Sequence, residues 1–307
     1  NMSLSEIEKK AEKWSKAPFS KEIREKVKEL YNNKKLLEDC FYKDLEFGTG
    51  GMRGVMGIGT NRINKYTLGK NTQGICNYLN ETEKGEIKIA IAYDCRNNSE
   101  SFAKIVADVF SANNIKVFIF NQLRPTPELS FAVKALNCNC GIVLTASHNP
   151  PEYNGYKVYW KDGGQIVPPV DKLLIEEINN VSFEEIKFNR NANLIENIGE
   201  LIDKEFISNS IKVGKIDKIT DRENIKIVFT SLHGTSYTIM PKVFERIGYK
   251  NVLYVDEQME PDGDFPSVES PNPEEKEALS LGLDLAKQSD ADIVIGTDPD
   301  ADRLGIA

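Results

Sequence analysis

Two kinds of hydrophobic pattern follow one another along the chain. From Leu4 to about Asp44, apolar residues recur at helical spacing among many charges (Ile7, Ala11, Trp14, then Ile23, Val27, Leu30, Tyr31), with a break at Pro18. This predicts two helices leading into the first domain. Thereafter strand and helix patterns alternate. Ile87 to Tyr93 (IKIAIAY) reads as a strand, Glu100 to Asn113 as a helix, Lys116 to Phe120 as a strand, Pro127 to Leu136 as a helix and Cys140 to Thr145 as a further strand. A second round follows: strand Ile225 to Thr230, helix Ile239 to Ile247, strand Val252 to Val255, helix Glu274 to Ser289 and strand Asp292 to Gly296.

Continuous β-branched runs separated by helices imply sheets covered on both faces. The expected fold class is therefore α/β: two consecutive three-layer α/β/α domains with mixed, mostly parallel sheets, preceded by an N-terminal helical extension. The polar stretch from Ser182 to Asp203 is the expected boundary, dividing residues 1–203 from 204–307.

Ligands of open α/β sheets gather at the carboxyl ends of strands, where loops and helix N-termini converge. The loops predicted there are Tyr93 to Arg96, Thr145 to Pro150, Ser231 to Ser236 and Thr297 to Arg303, and they hold both histidines of the chain, His148 and His233.

Composition narrows the classes. With 39 Lys and Arg against 47 Asp and Glu the chain carries a net charge of −8, which argues against nucleic acid or an anionic membrane surface as partner. No apolar run approaches the ~18 residues of a membrane span, and the charged start does not read as a secretory signal, so the cytosol is expected. Five cysteines without C-x-x-C spacing indicate neither a zinc site nor a disulfide framework.

Asp298, Asp300 and Asp302 alternate directly after a buried strand. Three carboxylates converging on one point are costly without a cation, and oxygen ligands suit Mg²⁺; the alternative is a solvated acidic turn. An EF-hand is excluded, because Arg303 stands where the obligatory glycine would. Ser147 follows a strand in a turn bounded by Pro150 and Pro151, and reads either as an exposed nucleophile or as a turn cap. Gly48 to Gly54 (GTGGMRG) does not fit G-x-G-x-x-G, since Arg53 occupies the third glycine position. It reads as a phosphate-approaching loop with one guanidinium or as a plain connector. Asn154-Gly155-Tyr156-Lys157 reads as a hairpin turn into the strand YKVYW, with Lys157 just past the serine loop.

Taken together, TASHNPPEYNGYK at 145–157, DPDADR at 298–303 and FGTGGMRG at 47–54 resemble the α-D-phosphohexomutase superfamily, in particular its phosphoglucomutase and phosphopentomutase-like branch. The resemblance implies that Ser147 carries a phosphate and that Mg²⁺ is held by this phosphate with Asp298, Asp300 and Asp302. It implies further that Arg53 and Lys157 flank the transferring phosphate, that Arg303 contacts the phosphoserine and that His148 orients the loop. The reaction implied moves phosphate between C1 and C6 of a hexose, or C1 and C5 of a pentose, through a bisphosphate intermediate, with a sugar 1,6-bisphosphate as activator. Lys157 qualifies as a general base only if neighbouring charge or burial lowers its pKa. The superfamily has two further domains, for sugar and distal phosphate, which are not present in these 307 residues; the chain is expected to be a portion of such an enzyme, with negligible mutase turnover alone. The competing readings are a Mg²⁺-dependent phosphatase with an aspartyl nucleophile and a non-catalytic phosphosugar-binding module.

Overall fold

A computed structural model of the chain describes residues 4–215 and 220–307. The N-terminal region forms three helices rather than two: α1 (Leu4–Trp14), α2 (Lys21–Leu30) and α3 (Lys34–Phe41). The third was hidden because Asn33, a turn former, is its cap: the Asn33 Oδ1 accepts the Leu36 N–H at 3.2 Å. The three share an aromatic cluster in which Trp14 stacks on Phe19 at 4.3 Å between ring centroids, with Phe41 and Tyr66 edge-on to the indole.

The first sheet unit comprises β1 (Gly51–Val55), α4 (Lys65–Thr82), β2 (Lys88–Tyr93), α5 (Ser99–Ala112), β3 (Lys116–Phe120), α6 (Thr126–Ala135), β4 (Cys140–Leu144), β5 (Tyr153–Trp160), α7 (Val170–Asn180) and β6 (Ile195–Ile198). Its strand order is β1-β5-β4-β2-β3-β6, and among the described residues only β5 runs against the others. The alternation of β2 explains the layers. Ile89, Ile91 and Tyr93 pack on one face in a cluster with Ile75, Leu79, Phe110 and Leu174, whereas Ala90 and Ala92 meet Leu129, Val133 and Ile202 on the other. β6 lies inside the polar stretch read as a boundary and extends the first sheet to Ile198.

α8 (Glu200–Gly214) then leads to β7 (Lys226–Thr230), α9 (Met240–Ile247), β8 (Asn251–Tyr254), α10 (Asp256–Met259), α11 (Ser280–Ser289), β9 (Ile293–Thr297) and β10 (Leu304–Ile306). These strands form a second sheet in the order β10-β9-β7-β8, with β10 antiparallel. The helix expected from Glu274 begins only at Ser280, because Asn272 Oδ1 accepts the Glu274 N–H at 3.2 Å and holds the preceding segment in turns. Among the described residues, no helix is long and apolar enough to cross a membrane.

Candidate active site

The serine loop and the aspartate loop, which leave different sheets, meet. Ser147 follows β4 with φ +54°, a left-handed conformation that a serine adopts only where its surroundings fix it. They do so closely. Thr145 Oγ1 accepts the Ser147 N–H at 2.9 Å and donates to Asp94 Oδ2 at 2.6 Å. The Arg96 guanidinium donates to four carbonyls of the loop, those of Ser147 (2.7 Å), Asn149 (2.5 Å), Pro150 (2.8 Å) and Tyr153 (3.2 Å). Held in this way, Ser147 Oγ donates to Asp298 Oδ2 at 2.6 Å and lies 3.3 Å from His148 Nδ1.

On the other side, Asp298, Asp300 and Asp302 each place an oxygen within 4.8 Å of the others. Their loop rests on the turn after β7, where the N–H and Oγ1 of Thr235 both donate to the Pro299 carbonyl at 2.8 Å. Lys157 Nζ donates to Asp300 Oδ2 at 2.6 Å and to Asp302 Oδ2 at 2.7 Å. One ammonium therefore serves two of the three carboxylates. Burial, then the charge of Asp300, pushes the Asp298 carboxyl up to about 8, whereas burial of Asp300 is outweighed by Lys157, which holds that carboxyl below its usual range. The residues fit a divalent cation on this chemistry: hard oxygen donors, a surplus of negative charge, and Asp300 Oδ1 buried without a hydrogen-bond partner.

The remaining expected site residues are placed as follows. Arg53 is exposed on β1, with Nη1 3.5 Å from Asn149 Oδ1. The Arg303 N–H donates to Asp298 Oδ1 at 3.0 Å while its guanidinium reaches Glu274 at 3.1 Å. His148 is part-buried, and burial followed by the charges of Arg303 and Arg53 lowers its pKa.

Three expectations need correction. Residues 51–55 form strand β1, paired with β5, so only the first part of the glycine-rich segment is a loop. Asn154 and Gly155 lie within β5 and not in a hairpin turn: glycine is required there because a Cβ would run into the Thr145 carbonyl oxygen and sit 2.7 Å from that of Met52. The condition for Lys157 as a base is not met either. Burial would lower its pKa, but Asp300 and Asp302 outweigh that and raise it.

His233, in a loop singled out from sequence, has both ring nitrogens engaged, by the Glu260 carbonyl (3.1 Å) and Ser267 Oγ (2.7 Å), and lies buried in the second unit. Sequence reasoning assigned no role to Arg96 or Thr126. The signal for Thr126 was its place between Pro125 and Pro127, since proline favours a helix start and starts point at strand ends.

The chain matches the family profile for phosphoglucomutase/phosphomannomutase alpha/beta/alpha domain I over residues 44–185 and that for domain II over residues 204–307. It is 40% identical over 288 residues to a phosphoglucomutase of Staphylococcus aureus, covering 92% of this chain and 51% of the relative. To a phosphoglucomutase of Staphylococcus epidermidis it is 38% identical over 288 residues, covering 91% and 52%. The chain thus spans about half the length of these curated relatives. A crystal structure of a candidate phosphomannomutase from Thermus thermophilus superposes with a TM-score of 0.73 at 26% identity, over 86% of this chain and 57% of that one. The fold is also that of a phosphoglucomutase/phosphomannomutase family protein from Burkholderia thailandensis, at a TM-score of 0.69 and 24% identity over 85% and 54%. With both domain profiles in order along most of its length, the chain belongs to the phosphoglucomutase/phosphomannomutase family.

Proposed function

We propose that this chain carries the phosphotransfer half of a sugar-phosphate mutase, with Ser147 as the residue that takes and returns the phosphate. The observation that carries the reading is the 2.6 Å hydrogen bond from Ser147 Oγ to Asp298 Oδ2, which joins a fixed serine to the acidic cluster. Asp298, Asp300 and Asp302 would hold Mg²⁺; when bound, the ion supplies neutralising charge for the phosphoryl oxygens. Lys157, kept protonated by its two carboxylate partners, serves as an electrostatic group. Arg53 and Arg303 flank the serine loop and offset the remaining charge, and His148 steadies the serine oxygen.

In the transfer, the bond between Ser147 Oγ and phosphorus breaks as a sugar hydroxyl oxygen bonds to phosphorus. The proton lost by that hydroxyl is made up at the serine oxygen, and the sugar bisphosphate returns its other phosphate to Ser147. The names of the staphylococcal relatives favour glucose 1-phosphate and glucose 6-phosphate over pentose phosphates as substrate. We divide the chain into residues 1–203, with the serine loop, and 204–307, with the metal loop. Residues 1–307 alone should bind metal and accept phosphate yet show negligible mutase turnover.

The test is intact mass and peptide mapping after incubation with glucose 1,6-bisphosphate and Mg²⁺. A gain of ~80 Da on the Ser147 peptide, absent in Ser147→Ala, is expected. Phosphate on an aspartate would favour the phosphatase, and an unmodified Ser147 with bound bisphosphate the non-catalytic module; either result overturns the proposal.

A further inference from the structure

We infer that Thr126 is a positioning residue that determines which oxygen of Asp300 faces the divalent cation; this rests on the metal reading of the acidic cluster given above. Thr126 opens α6 in the first unit and is buried, as is Asp300 in the second. Two hydrogen bonds join them. The Thr126 N–H donates to the Asp300 carbonyl at 2.8 Å, and Thr126 Oγ1 donates to Asp300 Oδ2 at 2.7 Å.

The second bond decides an orientation. A carboxylate free to rotate presents its two oxygens interchangeably. Here Oδ2 takes both the Thr126 hydroxyl and, at 2.6 Å, the Lys157 ammonium, while Oδ1 is buried with no partner. Both oxygens of Asp298 are already engaged, Oδ1 by the Arg303 N–H and Oδ2 by Ser147. Asp300 Oδ1 is thus the buried oxygen with its capacity unspent, on a residue that has one carboxylate oxygen within 4.8 Å of an oxygen of Asp298 and of Asp302. Lys157 alone would not fix this arrangement, because its flexible ammonium also serves Asp302 and can follow either oxygen of Asp300. The short threonine side chain, anchored by its own backbone bond to the same residue, cannot.

The experiment is a titration of the chain with Mn²⁺, followed by the loss of the free-ion paramagnetic resonance signal, for the wild type, Thr126→Val, Thr126→Ser and Asp298→Asn. Removing an outer-shell hydrogen bond to a ligand typically weakens metal binding by about 10-fold or more. That loss is expected in Thr126→Val, with Thr126→Ser close to the wild type and Asp298→Asn weaker than either. Thr126→Ala keeps the backbone bond without an added methyl group, and gives the same reading should valine disturb the helix start. Wild-type affinity in the valine or alanine variant overturns the inference about Thr126 and leaves the metal reading standing. So does a serine variant as weak as valine, since the hydroxyl would then not be the cause. A wild type that takes up no Mn²⁺ overturns the metal reading, and this inference with it.

Discussion

Arg96 and Phe265 face each other across the two units: the guanidinium carbon lies 5.1 Å from the ring centroid, while the guanidinium nitrogens hold four carbonyls of the serine loop. The fully buried Arg96 side chain also lies 3.4 Å from Asp94. One residue thus couples the shape of the serine loop to the packing of the second unit. Arg96→Lys keeps the charge but loses the planar fork, and is expected to destabilise the chain by about 2–4 kcal/mol and to slow phosphorylation of Ser147 further than the stability loss explains. Urea unfolding and the rate of Ser147 phosphorylation from glucose 1,6-bisphosphate, measured where each variant is fully folded, check this. An unchanged rate in folded Arg96→Lys would remove the coupling.

Replacing Lys157 by methionine removes the one ammonium from between Asp300 and Asp302. Breaking a buried pair of this kind typically costs about 3–5 kcal/mol. The sign with pH follows from Asp300, whose carboxyl is held below its ordinary value. Such a group adds stability above its unfolded pKa of about 4, and that stability is lost as pH falls through the lower folded value. The wild type should therefore exceed Lys157→Met by its full margin at pH 7, with the gap narrowing only below about pH 4; denaturant melts at pH 7 and at about pH 2.5 measure it.

Glu128 shows the opposite sign. It is fully buried beside the pair in which Arg124 grips Asp203 at 2.8 and 3.0 Å. Burial, then the neighbouring Asp203 carboxylate, raise the Glu128 pKa to about 9. Between its ordinary pKa of 4.5 and about 9 the folded chain holds a proton that the unfolded chain releases, so stability falls as pH rises across that window. Glu128→Gln keeps the shape without the proton. Its Tm should exceed that of the wild type at pH 8 by a few degrees, ~3–6 °C, and match it near pH 4.5. An equal difference at both values would show that Glu128 is not the titrating group.

Gly155→Ala drives a methyl group between the Thr145 and Met52 carbonyls, where β5 pairs with β1 beside the start of the serine loop. Backbone cannot yield as a flexible side chain does, so a loss of about 2–4 kcal/mol is expected. The Ser147 hydroxyl should also become slower to phosphorylate, which peptide mapping follows.

Much of the scaffold was legible because β2, β4, β7 and β9 are central strands covered on both faces, whose apolar runs need no partner to be recognised. The aspartate loop was legible for a related reason: three carboxylates alternating after such a strand have few purely structural explanations. What stayed hidden depended on tertiary context. α4 (KYTLGKNTQGICNYLNET) has two glycines and several weak helix formers. Its clue was local, the capping box of Asn64 with Thr67. Gly74 is needed because a Cβ there would lie 2.6 Å from Ile178 Cα of α7, a neighbour a hundred residues away. β6 is short, with two adjacent polar residues between its isoleucines, and pairs only because β3 offers it an edge. Arg96 was hidden because its partners are carbonyls, which every residue possesses.

The hydrogen bond between Ser147 and Asp298 has a thermodynamic consequence under the proposed chemistry. The free serine fastens the two sheets with a proton; the phosphorylated serine has no proton to give and sets a dianion against a carboxylate. Attraction becomes repulsion at the same seam, and only a cation restores the grip. Phosphate and divalent ion should therefore each strengthen the binding of the other, by the same factor, and a chelator added to the phosphorylated protein should loosen the seam between serine and aspartate loops while leaving that of the unmodified protein closed. Amide exchange along Ala146 to Asn149, compared in the four combinations of phosphate and metal, reads this linkage directly.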